Sequence, residues 1–200
     1  VIEIPVINAG DGHNEHPTQG LIDLYTIRKI KRQIDGLTIS IAGNLRDSRC
    51  LHSDIYGLSK YDVDLRLISP EKLQIPKVIA KYLKDCHVDH SISTDYTAVD
   101  HTIGDTDVLI VDSMLQDSLE DLSWSEKYYF LKQEQYNRFD RKRLGAAKEG
   151  MILLHSLPRS TVVGYTIEPE VDETPYAKYF EQASYGMRIR IALLKLIFNI

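Results

Sequence analysis

Two side chains that can polarise a carbonyl group, His16 and Gln19, follow a segment that contains Gly10 and Gly12. The glycines allow backbone conformations that other residues avoid, so the chain can turn sharply and bring its amides close to a ligand. His16 and Gln19 are three residues apart, which places them on one face of a first helical turn. The pattern predicts a site for an anionic or strongly polarised carbonyl ligand at a helix N-terminus. A polar loop that only caps the helix is the alternative interpretation.

The helix that must position these side chains is predicted from His16 to about Ile34. Pro17 suits its first turn, where the N–H that proline lacks is not needed. Apolar residues behind Pro17 recur at helical spacing and are Leu21, Ile22, Leu24, Tyr25, Ile27 and Ile30. The site would therefore lie at the start of an amphipathic helix.

Short apolar strands alternate with helices along the rest of the chain. The predicted strands are 37–42, 63–68, 88–92, 108–111 and 151–155, and the predicted helices are 49–58, 76–83, 125–136, 138–147, 175–182 and 185–198. This alternation predicts an α/β fold with a doubly wound, mostly parallel sheet and helices on both faces. Ligands of such folds collect where parallel strands end, which here selects segments 44–49, 112–116 and 156–159.

Composition excludes several classes of protein. The chain has 200 residues, of which 43% are apolar and 26% charged, and these values fit a domain with a sizeable core. The net charge of −5 gives no reason to expect nucleic acid binding. There is no apolar run of about 20 residues and no signal-peptide pattern, so we expect a soluble intracellular protein with the cytoplasm as its default compartment. The two cysteines and seven histidines show no metal-site spacing, and we expect reduced thiols and no metal.

Four segments follow one another in a recognisable order. They are VINAGDG with HPTQ at 6–19, GNLRDSRCLHS at 43–53, HSLPR at 155–159 and VDETPYAKYFEQASYGMRIRIALL at 171–194. Together they resemble the motifs of the aspartate carbamoyltransferase family, within the aspartate/ornithine carbamoyltransferase superfamily. The resemblance covers nearly all of the chain and implies the C-terminal aspartate-binding domain of that family.

The resemblance implies an activity and a domain organisation. The family moves the carbamoyl group of carbamoyl phosphate onto the amine of aspartate, in pyrimidine biosynthesis and without a cofactor. Residues 1–34 would be the interdomain segment and a helix of the carbamoyl phosphate side, 35–182 the aspartate-binding domain, and 183–200 a helix that packs toward an N-terminal domain absent from this sequence. We expect that domain on another polypeptide or removed. The implied partners are the two small-molecule substrates and further subunits, in a homo- or hetero-oligomer of the trimer type.

Specific site residues follow from the family pattern. His16 and Gln19 would contact the carbamoyl group, and Arg49 would bind the aspartate substrate through charge-assisted contacts. Leu157 and Pro158 match a loop whose backbone carbonyls meet the amine and the carbamoyl nitrogen. These contacts would accelerate the reaction by positioning and electrostatics.

Two further arginines match positions near the domain hinge of the family. Arg159 is assigned to substrate binding by the resemblance, and a structural ion pair is an equal alternative for it. The same two possibilities are open for Arg190.

Several residues depart from the family pattern around the aspartate site. Ser113 and Leu115 stand where the family has an arginine and a glutamine that hold carboxylates, and Asp112 beside them would repel a dicarboxylate. Losing a charge-assisted hydrogen bond typically costs about 1.5–3 kcal/mol. The other departures are Asn44, Ser48, Cys50, Ser118 and Ser156.

Three hypotheses of function are therefore kept. The first is a working aspartate carbamoyltransferase chain. The second is a catalytically inactive relative that serves as a structural or assembly subunit, and the third is a carbamoyltransferase for another amine acceptor. The apolar faces of the first and last helices are predicted to be mainly core, although a chain without the N-terminal domain must leave part of them to a partner. Those faces comprise Leu21, Leu24, Tyr25, Ile191, Leu194, Ile197 and Phe198.

Overall fold

A five-stranded, entirely parallel sheet forms the centre of the computed structural model, which describes residues 4–114, 123–159 and 165–200. The strands are β1 (Thr38–Ala42), β2 (Asp64–Ile68), β3 (His90–Ser93), β4 (Val108–Val111) and β5 (Ile152–His155). Their order is β3-β2-β1-β4-β5, which places the ends of β1, β4 and β5 side by side. The predicted α/β fold is confirmed. Leu115 and Ser118, two departures from the family pattern, lie outside the described residues.

Helices surround this sheet in the described part of the chain. They are α1 (Pro17–Lys31), α2 (Arg49–Leu58), α3 (Lys77–Asp85), α4 (Ala98–Thr102), α5 (Trp124–Tyr136), α6 (Arg141–Leu144), α7 (Tyr179–Ser184) and α8 (Gly186–Phe198), with short 3-10 helices at Glu71–Leu73 and Pro169–Glu173. Helix α1 packs against α2, α7 and α8. None of these helices is both long and apolar enough to cross a bilayer.

The hydrophobic core lies on both faces of the sheet because successive strand residues point to opposite sides. In β4, Val108 and Ile110 belong to one buried cluster, whereas Leu109 and Val111 belong to another. Burial of each such side chain contributes about 1.5–3 kcal/mol. The two layers of helices therefore hold the strand ends, and the loops that follow them, at fixed positions.

Most predicted elements are confirmed, and two helices differ in extent. Helix α2 has the predicted bounds because the Ser48 side chain accepts a hydrogen bond from the backbone N–H of Leu51 and caps its first turn. The helix predicted at 138–147 is limited to α6, because Phe139 instead forms a bridge with Ile167. The helix predicted at 175–182 begins only at Tyr179.

The prediction that the apolar faces of α1 and α8 are mainly core is wrong. Leu21 is 40% exposed, and on α8 Ile191, Leu194 and Phe198 are 47%, 44% and 60% exposed. The remaining members of those faces, Leu24, Tyr25 and Ile197, are half-buried. We refer to the four exposed side chains as the α1/α8 face. Nothing in the described part of the chain covers this apolar surface, which agrees with the expectation of a partner.

Candidate active site

The loops after β1 and β4 meet at the carboxyl edge of the sheet. The Asn44 side-chain amide donates to the backbone oxygen of Met114 at 2.9 Å, and the Ser48 hydroxyl donates to the Asp112 carboxylate. That carboxylate also accepts the backbone N–H of Ser113 at 2.8 Å. Asp112 therefore connects the two loops, and each of its carboxylate oxygens accepts one hydrogen bond from within the protein.

The loop after β5 reaches the same edge beside α2, where Ser156 lies near the Cys50 thiol and acts on its pKa. Burial, together with the nearby carboxylates of Asp112 and Asp54, raises the pKa of the Cys50 thiol. A protonated thiol is a poor nucleophile. Cys50 therefore has a structural role at the junction of these loops.

His16 stands immediately before α1, at the position predicted for a carbonyl-polarising group. Its backbone N–H donates to the Ser53 hydroxyl at 2.9 Å, and its Nδ1 lies 3.3 Å from the hydroxyl of Thr18. Partial burial lowers the pKa of His16, and the positive charges of Arg49 and Arg190 lower it further. The imidazole is therefore neutral near pH 7, and its free N–H can donate to an oxygen without adding charge.

Arg49 is the first residue of α2, and its guanidinium lies against the backbone of Gly10. A Cβ atom on Gly10 would be 3.1 Å from Arg49 Nη1, and Gly10 has a φ of +125°, so glycine alone suits this position. Within the described residues no carboxylate forms an ion pair with Arg49. Its charge is therefore available to an anionic ligand, beside the imidazole whose pKa it lowers.

The Gln19 amide is oriented by a buried chain of hydrogen bonds. Gln19 Nε2 donates to Asp23 Oδ1 at 2.8 Å, and Gln182 Nε2 donates to the same oxygen at 2.5 Å. The Gln182 side-chain oxygen accepts the backbone N–H of His155 at 3.0 Å. Because the Gln19 nitrogen is held by Asp23, its carbonyl oxygen is left for another group. A cavity of about 180 Å³ lies beside this chain and is lined by Gln19, His155, Gln182 and Arg190, among others.

Sequence reasoning gave no role to Asp23, Gln182 or His155. The signal for Asp23 was available, since it is four residues after Gln19 and therefore on the same helical face. Gln182 comes from a helix far along the chain, and no local pattern points to it. His155 lies in the HSLPR segment but received no assignment of its own.

The His155 side chain is 2% exposed and is neutral. Its Nδ1 accepts the backbone N–H of Leu157 at 2.9 Å, which places the ring proton on Nε2. Burial lowers the pKa of His155. The negative charge of Asp112 raises this pKa in part, and the positive charge of Arg159 lowers it further. Among the described residues no acceptor meets the buried Nε2–H, which therefore lines the cavity as an unused donor.

The predicted carbonyl loop, Leu157 and Pro158, follows β5 directly. The peptide bond between the two residues is cis, and Leu157 has a φ of +48°. Pro158 is exposed to solvent. The backbone carbonyls of this loop therefore lie at the same sheet edge as the loops after β1 and β4.

Arg159 forms a two-pronged ion pair with Asp172, at 2.8 Å and 2.9 Å. Its guanidinium also lies over the rings of Tyr179 and Phe180. Of the two alternatives for this arginine, the ion pair is therefore present. The Tyr179 hydroxyl donates to the same carboxylate.

We expect Asp172→Asn to lower the free energy of unfolding by about 1.5–3 kcal/mol at pH 7, since charge-assisted hydrogen bonds are lost. Burial alone would raise the pKa of Asp172, but hydrogen bonds from Arg159 and Tyr179 lower it overall. A lowered pKa stabilises the fold above the pKa of the unfolded chain, and this stabilisation disappears as the pH falls through the folded-state value. Denaturant unfolding of both proteins should therefore give a difference at pH 7 that is lost at strongly acidic pH. Asp85→Asn, at an exposed pair with Lys81, is the control and should change little.

The sequence matches two family models and the catalytic subunits of known enzymes. A family model described as "Aspartate/ornithine carbamoyltransferase, Asp/Orn binding domain" matches residues 35–197, and one described as "carbamoyl-P binding domain" of the same proteins matches residues 1–29. The aspartate carbamoyltransferase catalytic subunit of Thermococcus onnurineus is 42% identical over 200 residues, covering 100% of this chain and 61% of that relative. The Thermoplasma acidophilum subunit is 40% identical over 196 residues, covering 95% of this chain and 58% of that relative.

The solved structures that resemble this chain are also aspartate transcarbamoylases. Aspartate transcarbamoylase from Trypanosoma cruzi in complex with N-(phosphonacetyl)-L-aspartic acid matches with a TM-score of 0.83 and 31% identity, covering 95% of this chain and 58% of that one. The same enzyme in complex with carbamoyl phosphate and aspartate matches with a TM-score of 0.81 and 32% identity, covering 95% and 57%. The chain thus spans about three fifths of the proteins that it matches.

Proposed function

The chain belongs to the aspartate/ornithine carbamoyltransferase family, and we propose that it forms the aspartate-binding part and the domain junction of an aspartate carbamoyltransferase catalytic subunit. The reaction is transfer of the carbamoyl group from carbamoyl phosphate to the amine of L-aspartate. The amine attacks the carbamoyl carbon, the carbon–oxygen bond to phosphate breaks, and the products are N-carbamoyl-L-aspartate and inorganic phosphate with release of a proton.

The observation that carries the proposal is the neutral His16 near Arg49, which forms no ion pair with any described residue. A neutral imidazole can donate a hydrogen bond to a carbonyl oxygen, and a guanidinium can bind a carboxylate. Together they suit a pair of substrates that carry these two groups. The Nε2–H of His16 would donate to the carbamoyl oxygen, where negative charge grows during attack. Arg49 would bind an aspartate carboxylate in a fork geometry. Arg190, whose charge also acts on His16, adds to the positive potential.

The remaining site residues complete the positioning of the two substrates. The Gln19 carbonyl would accept from the carbamoyl NH₂ group, since its own nitrogen is held by Asp23. The backbone carbonyls of Leu157 and Pro158 would accept from the aspartate amine and the carbamoyl nitrogen. Arg159 would act through its pair with Asp172 to hold this loop.

The curated relatives favour the transferase over the two other hypotheses. Those at 36–42% identity are named as catalytic subunits of aspartate carbamoyltransferase. The departures at Ser113 and its neighbours are therefore proposed to weaken aspartate binding rather than to abolish it.

The α1/α8 face supports a specific partner for this chain. Residues 1–29, which include most of α1, match the model of the carbamoyl-P binding domain. We propose that the rest of such a domain covers the exposed Leu21 and the apolar residues of α8. Burying this face would stabilise the complex by about 25 cal/mol for each Å² removed from water. An oligomer of the trimer type stays a prediction, which the mass of the native complex would test.

Calorimetry with N-(phosphonacetyl)-L-aspartate tests the proposed function. The protein would be this chain preceded by the remaining carbamoyl-P binding region of the Thermococcus onnurineus relative. We expect heat of binding, and formation of carbamoyl aspartate when both substrates are present. The 200 residues alone should bind the same compound more weakly, because only residues 1–29 of them match the carbamoyl-P binding domain. Absence of both heat and product from the joined, folded protein would overturn the proposal.

A further inference from the structure

Two buried carboxyl groups, Asp23 on α1 and Asp54 on α2, lie where these helices pack together, close enough that each shifts the pKa of the other. Each residue is 2% exposed. Asp23 accepts the amides of Gln19 and Gln182, whereas the oxygens of Asp54 meet no donor among the described residues. Burying a carboxylate without a donor is costly. The position of Asp54 therefore needs a physical explanation that the proposed reaction does not supply.

The surroundings of the pair add negative charge. Asp112 at the end of β4 acts on both carboxyls, and Glu15 before α1 acts on Asp54. The groups that face the pair from α1 and α7 are the neutral amides of Gln19 and Gln182. Among the described residues, the groups with the largest effects on the two carboxyls are other carboxyls and amides, and none of them is a cation. If Asp23 and Asp54 were both ionised, their negative charges would repel each other, and none of these neighbouring groups would offset the repulsion with a positive charge.

A shared proton removes this conflict. Two ionised carboxylates are both acceptors, so a hydrogen bond between them requires one proton. Burial raises the pKa of Asp23 to about 7, and burial together with Asp23 itself raises the pKa of Asp54. With Asp54 as the donor, Asp23 keeps an oxygen for the two glutamine amides.

We propose that Asp23 and Asp54 share one proton across the junction of α1 and α2, and that the pair is a positioning device for the Gln19 amide. Asp23 lies in the segment that matches the carbamoyl-P binding domain, and Asp54 lies in the Asp/Orn binding domain. One proton thus links the two parts of the family fold. The role of Gln19 in this account rests on the proposed function, whereas the sharing of the proton does not.

The pH dependence of stability follows from the sharing. Groups with a raised folded-state pKa stabilise the fold fully below the unfolded pKa, near 4, and this stabilisation is lost as the pH rises toward the folded-state value, near 7 for Asp23. Titration of Asp23 alone should therefore raise the unfolding equilibrium constant roughly a hundredfold between pH 5 and pH 8, and the raised pKa of Asp54 adds to this rise.

Denaturant unfolding of Asp54→Asn, Asp23→Asn and the double variant tests the proposal. Each single variant should lose part of the rise in the unfolding constant between pH 5 and pH 8, because one carboxyl is removed and the other, still buried, loses its partner. The double variant should lose less than the sum of the two single losses, since each single change already removes the contact between the carboxyls. Asp89→Asn, an exposed aspartate outside the pair, is the control and should keep the full rise.

Infrared spectroscopy gives a second readout that does not depend on the variants folding equally well. The native chain at pH 7 should show the carbonyl stretch of a protonated carboxyl, and the band should be weaker in Asp54→Asn, which lacks the proposed donor. Additive pH effects of the two single variants would overturn the proposal, and so would absence of the band at pH 6. Because neither measurement uses a substrate, failure here is distinct from failure to bind N-(phosphonacetyl)-L-aspartate.

Discussion

Arg49→Ala should weaken binding of N-(phosphonacetyl)-L-aspartate by roughly 10- to 150-fold, the equivalent of about 1.5–3 kcal/mol for a lost charge-assisted hydrogen bond. The guanidinium has no ion-pair partner among the described residues, so its removal takes a contact from the ligand and breaks no ion pair within the protein. Calorimetry of the joined protein would measure the change. Because Arg49 also lowers the pKa of His16, its removal should move that pKa upward, which NMR titration of the imidazole can detect.

Two matched variants separate the role of Arg49 from a general effect of charge. Arg49→Lys keeps the positive charge but not the planar fork, and we expect it to bind with intermediate affinity. Arg141→Ala removes an arginine that pairs with Glu173, and its affinity should equal that of the native chain. Unchanged affinity in Arg49→Ala would rule out this arginine as the anion contact.

Gly43→Ala should lower the free energy of unfolding by about 2–5 kcal/mol, from backbone strain and overpacking together. Gly43 follows β1 with a φ of +147°, and an added Cβ would lie 2.6 Å from the backbone oxygen of Asp112. The obstacle is backbone rather than a flexible side chain, so the end of β4 would have to move. Denaturant unfolding at pH 7 would measure the loss.

Gly150→Ala is the matched control for this prediction. Gly150 also has a positive φ, of +75°, but a Cβ there would meet nothing within 4 Å. Its substitution should therefore cost only the strain component, about 1–2 kcal/mol. Equal destabilisation by the two variants would show that the close approach of Gly43 to Asp112 does not matter.

The fold could be predicted from the sequence because strand and helix periods are local properties. The run at 108–111 is uniformly apolar, as expected for a strand buried on both faces, and the structure has β4 with those bounds. The helix predicted at 138–147 is longer than the observed α6, because the bridge between Phe139 and Ile167 is a tertiary contact that no local sequence pattern indicates. The exposure of Leu21 and Phe198 has a similar cause, since periodicity identifies an apolar face but not what covers it.

The candidate site was predictable where one segment carries the chemistry and not where several elements cooperate. His16 lies immediately before α1 and Gln19 lies in its first turn, three residues later, so spacing alone places them on one side of the helix. The environment of these residues depends on partners from elsewhere, such as Gln182, 163 positions after Gln19. The ion pair of Arg159 with Asp172 likewise required coordinates, because both pairing and substrate contact fit the sequence.

The side chain of Gln182 connects two parts of the candidate site. It connects the backbone of His155, before the carbonyl loop, to Asp23 and thus to Gln19 at the start of α1. A ligand that displaces either end must stretch or break this connection, so the two ends cannot respond independently. Under the proposed function, occupancy by the carbamoyl donor and occupancy by the amino acid acceptor are therefore expected to be thermodynamically linked, and each should alter the affinity for the other by the same factor.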